Sequence, residues 1–112
     1  MVNKPKRLGT SFEVDVCAFL RDHGFPLAER RAQEGRNDRG DVAGTPHVFE
    51  CKNLKSIDLA GGIDELKQEV ANCGPNAGYG FLIVKRRRKS TGEAYAVMTL
   101  TQLCDLLGRL DG

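Results

Sequence analysis

A helical stripe in the middle of the chain, followed at once by a strong helix stop, constrains the fold most. The stripe ends at Asn72-Cys73-Gly74-Pro75, where glycine and proline cannot continue a helix. A strand-like segment precedes the stripe at 47–52, and a buried-type strand follows it at 80–85. We therefore predict a helix between two strands. Its apolar residues, at spacings of four, three and four, are Leu59, Ile63, Leu66 and Val70.

The N-terminal part predicts one more helix and two more short strands. Thr10-Ser11-Phe12-Glu13 has the spacing of a capping box, so the first helix is expected to start there and to stop at His23-Gly24. A short strand is expected over 27–31. The segment 41–52 is typical of a hairpin around Gly44-Thr45-Pro46. The polar stretch 33–40, which has no apolar residue, is expected to be an exposed loop.

The C-terminal part predicts a second hairpin and a last helix. Residues 94–100 are rich in β-formers and follow a basic loop, so they can pair with 80–85. Thr101 is the expected cap of the final helix. The apolar stripe of that helix consists of Leu103, Leu106, Leu107 and Leu110.

The element order is helix, three short strands, helix, two strands and helix, which predicts an α/β or α+β fold. We expect a central mixed sheet flanked by helices. At 112 residues the chain has room for one domain, expected over 10–112 after a basic arm over 1–9. Its apolar runs, such as 81–84, are far shorter than the roughly 20 residues of a membrane span. The N-terminal arm also lacks the apolar core of a secretion signal, so we expect a cytoplasmic protein, in the host cytoplasm if the source is viral.

The four cysteines are too widely spaced for a zinc site or a redox pair. We expect four reduced thiols that act as small core residues.

Positive charge is clustered although the net charge is only +2. The clusters lie at residues 4–7, 30–39 and 85–89. Each is either a solvated loop or a phosphate-binding surface, and both interpretations stay open here.

A carboxylate and an acid–lysine pair stand where two adjacent strands can bring them together. Period-two alternation places Val48, Glu50 and Lys52 on one strand face, and Asp41 begins the preceding segment. One or two carboxylates and substrate phosphates are the usual ligands of Mg²⁺. Asp41 and Glu50 fit that description, and Cys51 would contribute its backbone carbonyl.

Lys52 would then project beside the metal, where an ammonium stabilises charge that develops on phosphorus. This is the chemistry of phosphodiester hydrolysis. The alternative is a same-face ion pair between Glu50 and Lys52, which at a surface contributes less than about 1 kcal/mol.

The motif Gly40-Asp41, a short hairpin and Glu50-Cys51-Lys52 resembles the PD-(D/E)xK nuclease superfamily, with glycine in place of the proline. Leu8 to Glu13 at the start of a helix, then Gly24-Phe25 and Arg30, resemble the archaeal-type Holliday junction resolvases. The similarity covers about residues 8–108.

This resemblance implies a restriction-endonuclease-like fold, with Glu13, Asp41 and Glu50 as acidic active-site residues and Lys52 as the catalytic lysine. It implies Mg²⁺, for which Mn²⁺ is expected to substitute, held by the three carboxylates and the Cys51 carbonyl. Glu13 retains a second interpretation as the glutamate of the capping box.

The expected activity is hydrolysis of DNA at four-way junctions, whose two-fold symmetry calls for a homodimer. The alternatives are another restriction-like nuclease, acting on nicks, mismatches or flaps, and a DNA-binding module without catalysis. No phosphate-binding glycine loop is present, so no nucleotide cofactor is expected. The expected DNA contacts are Arg30, Arg31, Arg36, Arg39, Lys55, Gln68, Lys85, Arg86, Arg87, Arg88 and Lys89.

Overall fold

The computed structural model describes residues 4–32 and 34–112, with side chains from Gly9 onward; Gln33, in the predicted loop, lies outside the described residues. The described residues form an α+β protein whose elements follow the predicted order. None of these helices is long and apolar enough to cross a membrane. The elements are α1 (Lys4–Asp22), β1 (Glu29–Arg30), β2 (Val42–Ala43), β3 (Val48–Lys52), α2 (Leu59–Asn72), β4 (Gly80–Val84), β5 (Tyr95–Val97) and α3 (Leu100–Asp111), with short 3-10 helices at Gly35–Asn37 and Thr91–Glu93.

A mixed sheet of order β3-β4-β5 forms the centre of the fold. β3 and β4 are parallel, with Glu50 opposite Leu82, whereas β5 is antiparallel to β4, with Val97 opposite Leu82. Parallel neighbours require a crossover connection, and α2 supplies it. The predicted central mixed sheet and the predicted second hairpin are therefore confirmed.

The hairpin expected over 41–52 is wrong. β2 pairs with β1, where Arg30 lies opposite Val42, while β3 pairs with β4. A backbone hydrogen bond from Asp41 N to Phe49 O, at 2.8 Å, still joins the two segments. The predicted turn is present as a bend over residues 44–47, but the partner of each strand depends on segments far away along the chain.

The first helix begins earlier than the capping box indicates. α1 starts at Lys4, so Thr10 and Glu13 lie inside the helix and the capping box is wrong. Residues 4–9 of the expected basic arm are helical, and Pro5 stands in the first turn, where its missing N–H is tolerated. α1 ends at Asp22, and Gly24 follows with φ +105°, as the predicted stop requires.

The two faces of β3 pack against different helices. Phe49 points toward α1 and Val48 toward α2, which confirms the predicted alternation. Two core clusters result. The first contains Cys17, Ala28, Val42 and Phe49, and the second contains Val48, Leu66, Leu82 and Val84.

The cap of α3 is Thr99, whose hydroxyl accepts a hydrogen bond from Gln102 N, so Thr101 is wrong as the cap. The Gln102 amide bonds to both the N–H and the C=O of Gly80, at 3.3 and 2.7 Å, and so joins α3 to the start of β4. Much of the predicted apolar stripe is left uncovered. Its exposed members are Leu103, Leu107 and Leu110.

All four cysteines are free thiols, as predicted. Cys17 is buried, but Cys104 is exposed on α3, so the expectation that every cysteine is a core residue is wrong for Cys104.

Candidate functional site

Gly40 turns the chain from the polar loop toward β3. It has φ +96°, and a Cβ there would lie 2.9 Å from Val48 Cγ1 and 3.0 Å from Phe49 O. Proline, whose φ is close to −65°, cannot adopt this conformation. The presence of glycine rather than proline before Asp41 therefore has a structural reason.

Asp41 is fixed against the free edge of β3 by two hydrogen bonds. Its N–H donates to Phe49 O at 2.8 Å, and its Oδ2 accepts from Cys51 N at 2.7 Å. The N–H and C=O of one strand residue point toward the same edge. The Cys51 carbonyl therefore faces the same edge as Asp41.

As predicted, Glu50 and Lys52 share one face of β3, and the structure turns this face toward α2. Lys52 Nζ lies 3.2 Å from Glu50 Oε2 and 3.2 Å from Glu65 Oε2 on α2. The ion pair of the alternative interpretation therefore exists, but it is not a surface pair, because Glu50 is 4% exposed. The second oxygen of Glu50, Oε1, is buried and has no hydrogen-bond partner.

A groove of about 590 Å³ lies beside these residues. Asp41 and Lys52 line it from the sheet side, and Glu13 and Arg30 line it from α1 and β1. Arg30 Nε lies 3.3 Å from Glu13 Oε1. The structure thus brings Glu13, Asp41 and Lys52 to one groove, whereas Glu50 is buried next to Asp41.

The pKa values of the carboxyl groups in the site are raised, chiefly because these groups are buried. Burial, followed by the neighbouring Glu65 and Asp41, raises the pKa of Glu50 to about 10. Burial also raises the pKa of Asp41, although the Cys51 N–H opposes it. The pKa of Glu13 is raised by burial and by Asp41, against the effect of Arg30.

Lys52 is held in its charged form. Burial acts to lower the pKa of Lys52, but Glu50 and Glu65 outweigh burial, and the pKa lies above its ordinary value. Lys52 therefore carries a positive charge at neutral pH.

Sequence reasoning missed three acidic residues that the structure places next to Glu50. They are Asp38, Glu65 and Glu69. Burial and the neighbouring Asp38, Glu65 and Asp41 raise the pKa of Glu69 to about 8. A signal was present for the helical pair, because Glu65 and Glu69 are four residues apart and so share a helix face. For Asp38 in the loop the sequence offered no such signal.

Two of the predicted DNA-contact residues line the groove, and a third lies next to Lys52 at its edge. Arg30 and Arg31 are on the groove wall. Lys85 N donates to Lys52 O at 3.0 Å, and the Lys85 ammonium lies 5.6 Å from the centre of the Phe12 ring. The basic run 85–89 therefore starts next to the end of β3.

The remaining predicted contacts do not line the groove. Arg39 pairs with Glu34, with 2.6 Å between Nη2 and Oε2, and Arg86 lies over the Tyr95 ring at 5.2 Å. Gln68 donates to Asn72 Oδ1. The exposed members of this group are Arg36, Arg39, Lys55, Gln68, Arg87, Arg88 and Lys89.

The residues expected to hold Mg²⁺ fit a hard cation. Asp41 and Glu50 are neighbouring carboxyl groups, and Glu50 Oε1 is a buried acceptor without a donor. The donor atoms are all oxygen, the type that Mg²⁺ and Mn²⁺ prefer. Glu13 adds a further carboxylate across the groove.

Comparison with protein-family models, with curated proteins and with solved structures found no match to this chain.

Proposed function

We propose that this protein is a Mg²⁺-dependent endonuclease that hydrolyses phosphodiester bonds in DNA, and that its sheet and helices form a restriction-endonuclease-like fold. The observation that supports this most is the meeting of Asp41, Glu50 and Lys52 at the end of β3, beside a groove lined by Glu13. A carboxylate pair can bind the metal ion and a charged lysine can stabilise the transition state, and both functions serve phosphodiester hydrolysis. The resemblance to the PD-(D/E)xK nucleases assigns the same residues.

Asp41 and Glu50 would hold the ion, with the Cys51 carbonyl at the same strand edge and Glu13 across the groove. The Cys51 N–H bond to Asp41 Oδ2 orients that carboxylate. When bound, Mg²⁺ supplies Lewis acidity and neutralises charge at the phosphate.

Lys52 acts as an electrostatic group, because its pKa is raised and its ammonium stays protonated at neutral pH. Glu50 and Glu65 hold the ammonium at 3.2 Å from each carboxylate, so it is oriented before the substrate binds. A fixed positive charge that meets negative charge developing on the phosphoryl oxygens lowers the barrier.

Arg30 and Arg31 on the groove wall, and Lys85 next to Lys52, would contact the phosphates that flank the scissile bond. Such contacts position the backbone without reading sequence. Structure rather than base sequence would then select the substrate.

The substrate we propose is the four-way DNA junction, cut by a homodimer. Two opposed cuts on a two-fold symmetric substrate are most simply made by two equivalent active sites. The uncovered apolar stripe of α3, Leu103, Leu107 and Leu110, is a surface that a second copy can bury. A cytoplasmic location is part of the same proposal.

The test is cleavage of a labelled immobile four-way junction, a matched duplex and a single strand, in Mg²⁺ or in EDTA. Wild type should make paired cuts at the junction in Mg²⁺ only. Lys52→Ala should lose about 10²-fold or more in rate, as expected for removal of a transition-state charge. Asp64→Asn, an exposed acid on the outside of α2, is the matched control and should cut as wild type does.

Equal cutting of all three substrates would support nuclease activity but contradict specificity for the four-way junction. Binding of the junction without cutting in either Mg²⁺ or Mn²⁺ would reject the enzyme and favour the DNA-binding module. Cutting by Lys52→Ala at the wild-type rate would show that Lys52 has no catalytic role.

A further inference from the structure

Glu69 is a buried carboxyl group that nothing in the described structure satisfies. It is 2% exposed, and neither of its oxygens has a hydrogen-bond partner. Glu50, 4% exposed, lies beside it and also has an unpartnered oxygen, Oε1. Burying a carboxyl group without a partner is unfavourable, and such groups are normally paired or bound to a metal.

Asp38 completes a group of three with these glutamates. One carboxylate oxygen from each of Asp38, Glu50 and Glu69 lies within 4.8 Å of the others. That spacing is short enough for one ion to reach all three oxygens, because carboxylate oxygens bind Mg²⁺ at about 2.0–2.1 Å and Ca²⁺ at about 2.3–2.6 Å.

The loop that carries Asp38 is fixed to α2. The Asn72 amide donates to Asp38 O at 2.7 Å and to Arg36 O at 3.1 Å, one helical turn after Glu69. The Asp38 side chain accepts from Gly40 N at 2.9 Å through Oδ1, so its orientation is also set. The hydrogen bonds of the loop and the burial of Glu50 and Glu69 therefore fix the three carboxyl groups near one another.

Local positive charge does not balance these acids. Among the described ion pairs, the cation that reaches the group is Lys52, which binds Glu50 and is shared with Glu65. Asp38 and Glu69 have no described ion pair with a lysine or an arginine. A cation from solution would supply the missing charge.

We propose that Asp38, Glu50 and Glu69 form a divalent-cation site between the 36–39 loop and α2. It takes a hard ion of the Mg²⁺, Mn²⁺ or Ca²⁺ class, because every donor is a carboxylate oxygen. The site shares Glu50 with the proposed Asp41 centre but lies on the α2 side of β3. Its existence does not depend on nuclease activity, so it goes beyond the proposed function.

The test is equilibrium binding of Mn²⁺ to the full chain without DNA, measured from the spin-resonance signal of free Mn²⁺. Glu69→Gln and Asp38→Asn should each weaken binding at one site by at least about tenfold, since even outer-shell changes weaken metal sites 10- to 100-fold. Both amides keep the shape, and an asparagine Oδ1 can still accept from Gly40 N. Asp64→Asn is the control and should bind as wild type does.

Asp41→Asn separates the two sites. If the proposal holds, Asp41→Asn retains Mn²⁺ at the site that Glu69→Gln and Asp38→Asn weaken. Wild-type stoichiometry and affinity in Glu69→Gln or in Asp38→Asn, with circular dichroism showing folded protein, would overturn the three-carboxylate site. Mn²⁺ binding that depends on Glu69 and Asp38 would stand even if no DNA substrate were cut.

Discussion

Replacing Glu69 with glutamine should change how the stability of the cation-free protein depends on pH. The pKa of Glu69 is raised by burial to about 8, from an ordinary value of 4.5. The folded state therefore binds a proton that the unfolded state has lost, and the free energy of unfolding must fall as pH rises through this window. The acids that face Glu69 and add to the effect of burial are Asp38, Glu65 and Asp41, while the neighbouring Glu50 acts to lower the pKa.

The magnitude follows from the two pKa values. Each bound proton changes the free energy of unfolding by about 1.4 kcal/mol per pH unit while the folded state alone is protonated. Between pH 6 and pH 8 the Glu69 contribution falls by about 2 kcal/mol, because titration near the folded pKa reduces the slope. Glutamine has no proton to lose, so the free energy of unfolding of Glu69→Gln should fall by about 2 kcal/mol less than that of wild type between pH 6 and pH 8.

The assay is urea unfolding followed by circular dichroism at pH 6, 7 and 8, in EDTA and at constant ionic strength. Glu50 and its partner Lys52 are present in both proteins, so the difference between the two profiles reports the substitution at Glu69. Asp64→Asn, on the same helix but exposed, should follow wild type. Parallel profiles for wild type and Glu69→Gln would refute the assignment of a buried, protonated Glu69.

Three further predictions concern the core, a turn and the groove. Leu82 is 0% exposed, so Leu82→Ala should lower the free energy of unfolding by about 2–5 kcal/mol, as measured by urea unfolding. Gly44→Ala should lower it by about 2 kcal/mol or more in the same assay, because φ is +84° and a Cβ would overlap the Leu27 carbonyl; a change below 0.5 kcal/mol, roughly the scatter of neutral surface substitutions, would contradict this. Arg30→Ala should weaken DNA binding at all sequences and reduce the slope of log affinity against log salt by about 1 in a fluorescence titration, whereas an unchanged slope would remove Arg30 from the phosphate contacts.

Local patterns sufficed where an element is specified by its own residues. The stripe from Leu59 to Val70 and the stop at Gly74 predicted α2, and the alternation in 47–52 placed Val48 and Phe49 on opposite faces, as observed. Periodicity and helix stops act over a few residues, so they can be read from the chain directly. The grouping of Glu50 with Lys52 on one face followed from the same alternation.

Pairing and proximity were decided by tertiary structure alone. Which strand lies beside β3 depends on α2 carrying the chain over to β4, so the local turn at Gly44 could not show that β2 would join β1 instead. The meeting of Asp38 with Glu69 required the Asn72 amide to hold the loop against α2, a contact between residues 34 positions apart. Sequence periodicity carries the direction of a side chain relative to its own element, whereas the burial of Glu69 and its lack of a partner depend on everything that packs around it.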